Sequence, residues 1–269
     1  MLFTLYGDYI LNRGGEVWVG TLIKLLSQFG LSEQAIRSAL SRMSQKGWLE
    51  VRRLGNRSYC SLTDKGKKLL LEGGQLIYHG RKDHWDGRWH LLTYSIPEGK
   101  RDVRNRLRQE LSWLGYGMLN NATWMSPRDV GEDVNALLGR LDICQYVECF
   151  TATHRGYADA RKLVRRCWDL DSIGRQYAAF LEKYRPRYEE HLARLVAGET
   201  IADGECFVER FMLIHEYRKF PFIDPELPAE LLPEGWPGGE AVGLFREYHR
   251  RLADKANSFF DSAFERAPR

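Results

Sequence analysis

Three observations predict an α+β fold in three successive parts. A short amphipathic helix runs into two strands joined by a basic turn over residues 31–62, strands and helices alternate as β-α-β-β-α-β between 89 and 151, and beyond about 153 apolar residues recur at helical spacing. These patterns correspond to an N-terminal winged helix-turn-helix over 1–74, a connector plus a central ferredoxin-like domain over 75–155, and an all-helical C-terminal domain over 156–269.

Leu2, Leu5, Tyr6, Tyr9 and Ile10 give a first amphipathic helix, and Glu16 to Val19 is a short β-branched stretch suited to a small strand. A second helix carries Leu22, Ile23, Leu25, Leu26 and Phe29 and ends at Gly30, whose freedom at positive φ suits a tight turn. The next helix starts at Ser32, an N-cap residue, with Glu33 at the positive end of the helix dipole and Ile36, Ala39, Leu40 and Met43 turned inward. Stepping at about 100° per residue puts Gln34, Ser38, Ser41 and Gln45 on the opposite face, flanked by Arg37 and Arg42.

That layout suits the major groove, where short or amide side chains meet base edges and cations at the margins meet phosphates. Gly47 stops the helix; Leu49 to Leu54 and Ser58 to Leu62 read as strands around Gly55-Asn56-Arg57-Ser58, with Arg52, Arg53, Asn56 and Arg57 on or near this wing. A solvated basic face on an ordinary helix and hairpin is the bland alternative; helix, turn and basic wing together favour DNA. A polar helix from Thr63 is expected to end at Gly73-Gly74, a natural domain edge.

The connector holds His79, His84, Asp86 and the pair Trp85 and Trp89 around Gly87; with His90 these histidines lack the spacing of a metal site, so no metal is assigned. In the central part, Trp89 to Ile96 reads as a strand and Lys100 to Gly115 as a helix with Val103, Leu107, Leu111 and Leu114 inward. Gly117 to Leu119 and Ala122 to Met125 follow as strands, Val130 to Leu141 as a helix and Gln145 to Thr151 as a strand. A Cas2-like nuclease of this fold needs an acid near the end of its first strand to hold a metal, and that strand ends Thr93-Tyr94-Ser95. No nucleophile elbow or Cys/His or Ser/His arrangement supports an acyl-coenzyme A enzyme, so neither class of enzyme is expected.

The C-terminal part reads as helices over Tyr157 to Cys167, Asp171 to Tyr184, Pro186 to Val196 with proline in its first turn, and Gly204 to Arg218. Prolines 221, 225, 228, 233 and 237 then exclude regular structure, while Phe220, Phe222, Ile223, Leu227, Leu231, Leu232 and Trp236 pin the loop to a core. A last helix runs from about Glu240 to Phe264, with Leu244, Phe245, Tyr248, Leu252, Ala256 and Phe259 on one side as core or dimer seam.

A chain of 269 residues with 43% hydrophobic and 28% charged residues has the make-up of an ordinary globular protein. The net charge of +4 says little, but between Leu31 and Leu62 the cations Arg37, Arg42, Lys46, Arg52, Arg53 and Arg57 face only Glu33 and Glu50. Five scattered cysteines, no signal peptide and no apolar run long enough to span a membrane point to a cytoplasmic protein with reduced thiols.

The blocks FTLYGDY at 3, VWVGTLIKLLSQFG at 17, SEQAIRSALSRMSQKGWL at 32, WDGRWHLLTYSIPE at 85 and HEYRKFPFIDPELPAELLPEGWPG at 215 resemble, in order and over nearly the full length, the PaaX family of transcriptional repressors. The resemblance implies the three-part layout with a Cas2-like middle, a homodimer on an operator of phenylacetate-degradation genes, and release by phenylacetyl-coenzyme A; no resident cofactor is expected. Family members usually carry a polar segment before FTLYGDY, whereas that motif begins here at residue 3. An acyl-coenzyme A effector asks for cations near its phosphates and an aromatic slot for its ring, which Trp85, Arg88, Trp89 and His90 with Arg101, Arg104 and Arg108, or Arg165, Arg166 and Trp168, could supply. The stretch 73–80 is a suitable place for rotation between DNA-competent and DNA-incompetent states.

Overall fold

The computed structural model describes residues 1–78, 84–156 and 159–265, with side chains over the same ranges except 72–78. His79 and the middle of the connector, 79–83, and the expected helix start at Tyr157 lie outside the described residues. The fold is mixed α/β, with two antiparallel sheets and a helical C-terminal region. The chain folds into two compact units, one comprising residues 1–78, 179–219 and 240–269, the other residues 79–178 and 220–239.

In the first unit, helix α1 (Leu2–Leu5) runs on through π and 3-10 turns to Arg13, burying Leu5, Tyr6, Tyr9 and Ile10. Strand β1 (Glu16–Trp18), helices α2 (Val19–Ser27) and α3 (Glu33–Gln45), and strands β2 (Leu49–Leu54) and β3 (Arg57–Leu62) follow, the sheet order being β1-β3-β2. The register places Val17 and Val51 on either side of Cys60, on the face shared with Leu49 and Leu62. Helix α4 (Asp64–Tyr78) continues past Gly73-Gly74, correcting the expected stop there. Glycine costs a helix only about 1 kcal/mol, so neighbouring helix formers carry it through.

The C-terminal helices of this unit are α8 (Leu170–Val196, from residue 179 on), α9 (Asp203–Tyr217), α11 (Gly238–Arg251, from residue 240 on) and α12 (Ala253–Ala263). Pro186, expected to open a new helix, lies inside the single helix α8. Tyr184 before it is fully buried, and Tyr188 and His191 after it both stack towards Tyr248, so packing on both sides of the proline offsets the lost hydrogen bond. The expected last helix breaks only at Leu252, and near its end Phe260 rather than Phe259 is fully buried.

In the second unit, strands β4 (Trp89–Tyr94), β5 (Gly117–Asn120), β6 (Thr123–Ser126) and β7 (Val147–Ala152) alternate with helices α5 (Arg101–Trp113) and α6 (Gly131–Leu141). The strand order β5-β6-β4-β7, antiparallel throughout, is the split β-α-β arrangement of ferredoxin-like folds. Leu92, Tyr94, Trp124 and Val147 meet Leu107, Leu111, Val134 and Leu138 in the core between sheet and helices. Helix α7 (Ala160–Cys167) leads into Trp168, whose indole lies on Gly117 so closely that a Cβ there would be 2.5 Å from the ring. In the proline-rich stretch Phe220, Leu227 and Leu231 are buried, but the turn α10 (Phe220–Ile223) leaves Phe222 and Ile223 exposed, correcting the expectation that all its apolar side chains are pinned.

Candidate nucleic-acid interface

Helix α3 is capped at both ends. Ser32 Oγ accepts from the Ala35 amide at 3.2 Å, and at the other end Gly47, at φ 66°, donates to Ser44 O while Trp48 donates to Met43 O. This glycine-terminated cap satisfies the last carbonyls and turns the chain directly into β2. Ile36, Leu40 and Met43 seat the helix, leaving Gln34, Ser38, Ser41 and Gln45 exposed along one stripe. Arg37 and Arg42 are exposed on its two sides. Arg37 Nε donates to Glu33 Oε1 at 2.7 Å, both side chains being more than half exposed, an ion pair cheap to exchange for another anion.

Beside the helix the hairpin turns at Gly55-Asn56, with Gly55 at φ 59°. A glycine at positive φ in the first position of a two-residue turn suits the right-handed twist of paired strands. Arg37, Ser41, Ser44 and Gln45 of α3 and Val51, Ser58 and Cys60 of the hairpin line a cleft of about 410 Å³.

Strand alternation divides the wing residues. Arg53, opposite Ser58, projects on the same sheet face as Val51 and so towards the cleft. Arg52 and Arg57 project on the other face, and each meets a carboxylate that the sequence pattern does not pair with it. Arg52 makes a two-pronged contact with Glu16 of β1, at 3.0 and 2.7 Å. Arg57 meets Glu265 at 2.5 Å while its guanidinium lies 4.6 Å from the Trp18 ring centre. Register puts Glu16 on the same sheet face as Arg52 but one row along, across β3 from Glu50, so the contact is diagonal; no sequence signal pointed to Glu265.

The side chains expected to hold an acyl-coenzyme A effector fall on two faces of the sheet, the tryptophans on one and Arg104 and Arg108 on the other. Trp89 is buried on the sheet face away from α5, with Trp85 at 5.1 Å and Trp168 at 6.5 Å between ring centres. Trp85 Nε1 donates to Arg88 O, and Arg88 in turn donates its amide to Asp86. Arg104 and Arg108 belong to the opposite, helix-covered side, where Arg104 contacts Glu98 at 3.0 Å and Arg108 donates to Tyr94 Oη and Asn121 O at 2.8 Å each. His90 Nδ1 lies 4.0 Å from Asp129. His84 pairs with Glu230. Among the described residues no group of His, Cys, Asp and Glu is placed to hold a metal ion, and the cysteines are unpaired.

Fold and surface together define a class: a mixed α/β chain carrying a capped helix with a polar, cation-flanked face beside a hairpin, followed by a four-stranded split β-α-β sheet and a helical C-terminal region. Family models described as PaaX-like protein, PaaX protein central Cas2-like domain, and PaaX-like protein C-terminal domain match residues 1–66, 82–164 and 168–262. The transcriptional repressor PaaX of Escherichia coli (strain K12) is 35% identical over 265 residues, spanning 96% of this chain and 81% of that protein. The chain belongs to the PaaX family. A solved structure of an uncharacterised protein from Mycobacterium tuberculosis shares the fold, with a TM-score of 0.62 at 23% identity over 96% of this chain and 95% of that one. No helix among the described residues is long and apolar enough to cross a membrane.

Proposed function

We propose that this chain is a sequence-specific DNA-binding transcriptional repressor, not an enzyme, and that its N-terminal helices and hairpin act as a winged helix-turn-helix. The observation that carries this reading is the exposed stripe of α3, polar at its centre and cationic at its edges, sharing a cleft with the wing face that bears Arg53. A 13-residue helix, about 20 Å long, fits a major groove about 12 Å wide. Gln34, Ser38, Ser41 and Gln45 lie nearest base edges; Arg37, Arg42 and Arg53 meet phosphate, with Ser32 and Asn56 at the ends of the contact. Arg52 and Arg57 join them only if their carboxylate partners give way.

In this reading the protein is a cytoplasmic homodimer whose two α3 helices enter successive major grooves of an inverted repeat. The family and the E. coli repressor support transcriptional repression; control of phenylacetate catabolism genes, with an aryl-coenzyme A such as phenylacetyl-coenzyme A as the releasing effector, is the finer part of the proposal and follows from the resemblance of the sequence blocks alone. Release requires that the effector bind the DNA-incompetent state more tightly than the competent one.

The test is fluorescence anisotropy on DNA upstream of the chain's own gene and of neighbouring catabolic genes, at fixed salt, with and without phenylacetyl-coenzyme A. Tight binding that prefers these sequences over scrambled DNA and is lost with the thioester supports both parts. Preference without a thioester effect removes the effector, and absence of preference removes the repressor reading.

A further inference from the structure

We propose that helix α7, in the second unit, is an additional contact for the phosphate backbone of duplex DNA, distinct from the face of α3; the proposal rests on the DNA-binding reading above. Leu163 and Val164 anchor the helix, being 6% and 0% exposed, while Arg161, Lys162, Arg165 and Arg166 are all exposed. At about 100° per residue these four occupy a single stripe about 140° wide. No acidic residue lies within the helix. Asp159, just before it, is engaged as the cap and accepts from the Lys162 amide at 2.7 Å.

The helix gains nothing from this composition on its own account. Arg161 with Arg165, and Lys162 with Arg166, are like charges at i,i+4, a spacing that destabilises a helix. Arg161 and Lys162 also lie in the first turn, at the end of the helix dipole that favours anions. Solvation requires a polar face, not a face of one sign. Many arginines elsewhere have carboxylate partners, as in Arg13 with Asp261, Arg104 with Glu98 and Arg187 with Glu209. Among the described residues Lys162, Arg165 and Arg166 have no acidic partner, and Arg161 donates only to the main-chain oxygen of Glu230, at 3.2 Å. An external polyanion removes both penalties.

The form of the surface selects the backbone of a duplex. From Arg161 to Arg166 the helix rises about 7.5 Å, matching two to three phosphates at about 3.4 Å of axis per strand. The aromatic residue at the end of the stripe, Trp168, is only 9% exposed and packs on the sheet. It offers no free face for a base, so the contact is with phosphate and indifferent to sequence.

The experiment compares wild type, a Lys162→Gln/Arg165→Gln/Arg166→Gln variant and the charge-preserving Arg165→Lys/Arg166→Lys variant. Anisotropy is followed between 50 and 200 mM salt on the upstream duplex and on a scrambled duplex, with thermal melting as a check of folding. The glutamine variant should melt like wild type, bind both duplexes at least tenfold more weakly at 100 mM salt, and show a log–log salt slope shallower by about two to three. The ratio of affinities for the two duplexes should stay the same, and the lysine variant should keep the wild-type slope. A glutamine variant with the wild-type slope on both duplexes overturns the proposal and leaves the stripe to another polyanion. If wild type itself shows no preference between the duplexes, the repressor reading fails, while the slope on scrambled DNA still decides for or against α7.

Discussion

Asp8 stands between Tyr6 and Tyr9 in an otherwise apolar stretch, and its carboxylate is among the most enclosed charges in the first unit. Arg210 Nη1 lies 2.6 Å from one oxygen and His249 Nε2 3.2 Å from the other, with the guanidinium 5.0 Å from the Tyr9 ring centre. This charge couples the first helical turns to α9 and α11. Asp8→Asn preserves the shape but leaves Arg210 buried without a counter-charge, a loss expected to cost about 3–5 kcal/mol. Urea unfolding would read it as a lower midpoint at unchanged slope, and a loss below about 1 kcal/mol would mean the pair is structurally idle. Nearby, His215 Nδ1 sits 2.9 Å from Thr4 Oγ1, and burial, with Arg218 adding to it, pushes the imidazole down to about 4. An unfolded histidine titrates near 6.5, so between about pH 6.5 and 4 the unfolded chain holds a proton that the folded chain does not. Stability is therefore full above about pH 6.5 and falls as the pH drops towards 4; His215→Gln should flatten that part of a pH–stability curve. Neither residue was legible beforehand, because nothing in a sequence tells a buried ion pair or a buried imidazole from a surface one. Ser32 and Gly47 were legible because caps are local chemistry.

At the scale of elements, the helices and strands were recovered where periodicity was strong, as in α3, α5, α6 and the seven strands among the described residues, usually within a residue or two. Errors came where local punctuation failed to end a helix: Gly73-Gly74 is carried through by neighbouring helix formers in α4, and Pro186 is carried through by packing on both sides of it in α8. The β2-β3 hairpin was found as an element, but the division of its arginines between two faces was not, since it follows from the strand register and from a carboxylate more than two hundred residues away in sequence. That carboxylate has a measurable consequence. Glu265 is held in place by its own amide, 3.4 Å from Thr21 Oγ1, while Thr21 donates to Ala263 O. The tail therefore presents a positioned anion to Arg57 in competition with DNA phosphate. Glu265→Gln should raise affinity several-fold at low salt and steepen the salt slope by about one, the count for one added phosphate contact. In the same assay Arg57→Gln should cost little in wild type but abolish the gain in the Glu265→Gln background. Additive effects of the two substitutions would show that they do not interact.

At the scale of the whole molecule, reading the chain as three consecutive segments hides which parts share a core. Linear composition marks where a chain changes character, but it carries no information about which distant faces meet. The first helices and the hairpin belong to one compact unit with residues 179–219 and 240–269. The Phe29 ring centre lies 4.4 Å from that of Phe211, Tyr9 stacks on Phe260 at 4.9 Å, and Tyr9 meets Phe207 at 5.3 Å. Arg13 grips Asp261 and Asn257 of α12. The proposed DNA-binding element thus borrows much of its aromatic core from helices encoded at the other end of the chain. A fragment of residues 1–78 would expose Tyr9 and Phe29 and strand the charge of Asp8, and a small domain cannot absorb such losses from a margin of a few kcal/mol. Expressed alone, the fragment should unfold without a sharp cooperative transition, bind a hydrophobic dye and have no measurable preference for operator DNA. Mixing it with the separately produced C-terminal helices should restore none of these unless the aromatic contacts re-form. A sharp two-state melt of the isolated fragment, with sequence preference intact, would show that the N-terminal element is autonomous and that the C-terminal helices only lean on it.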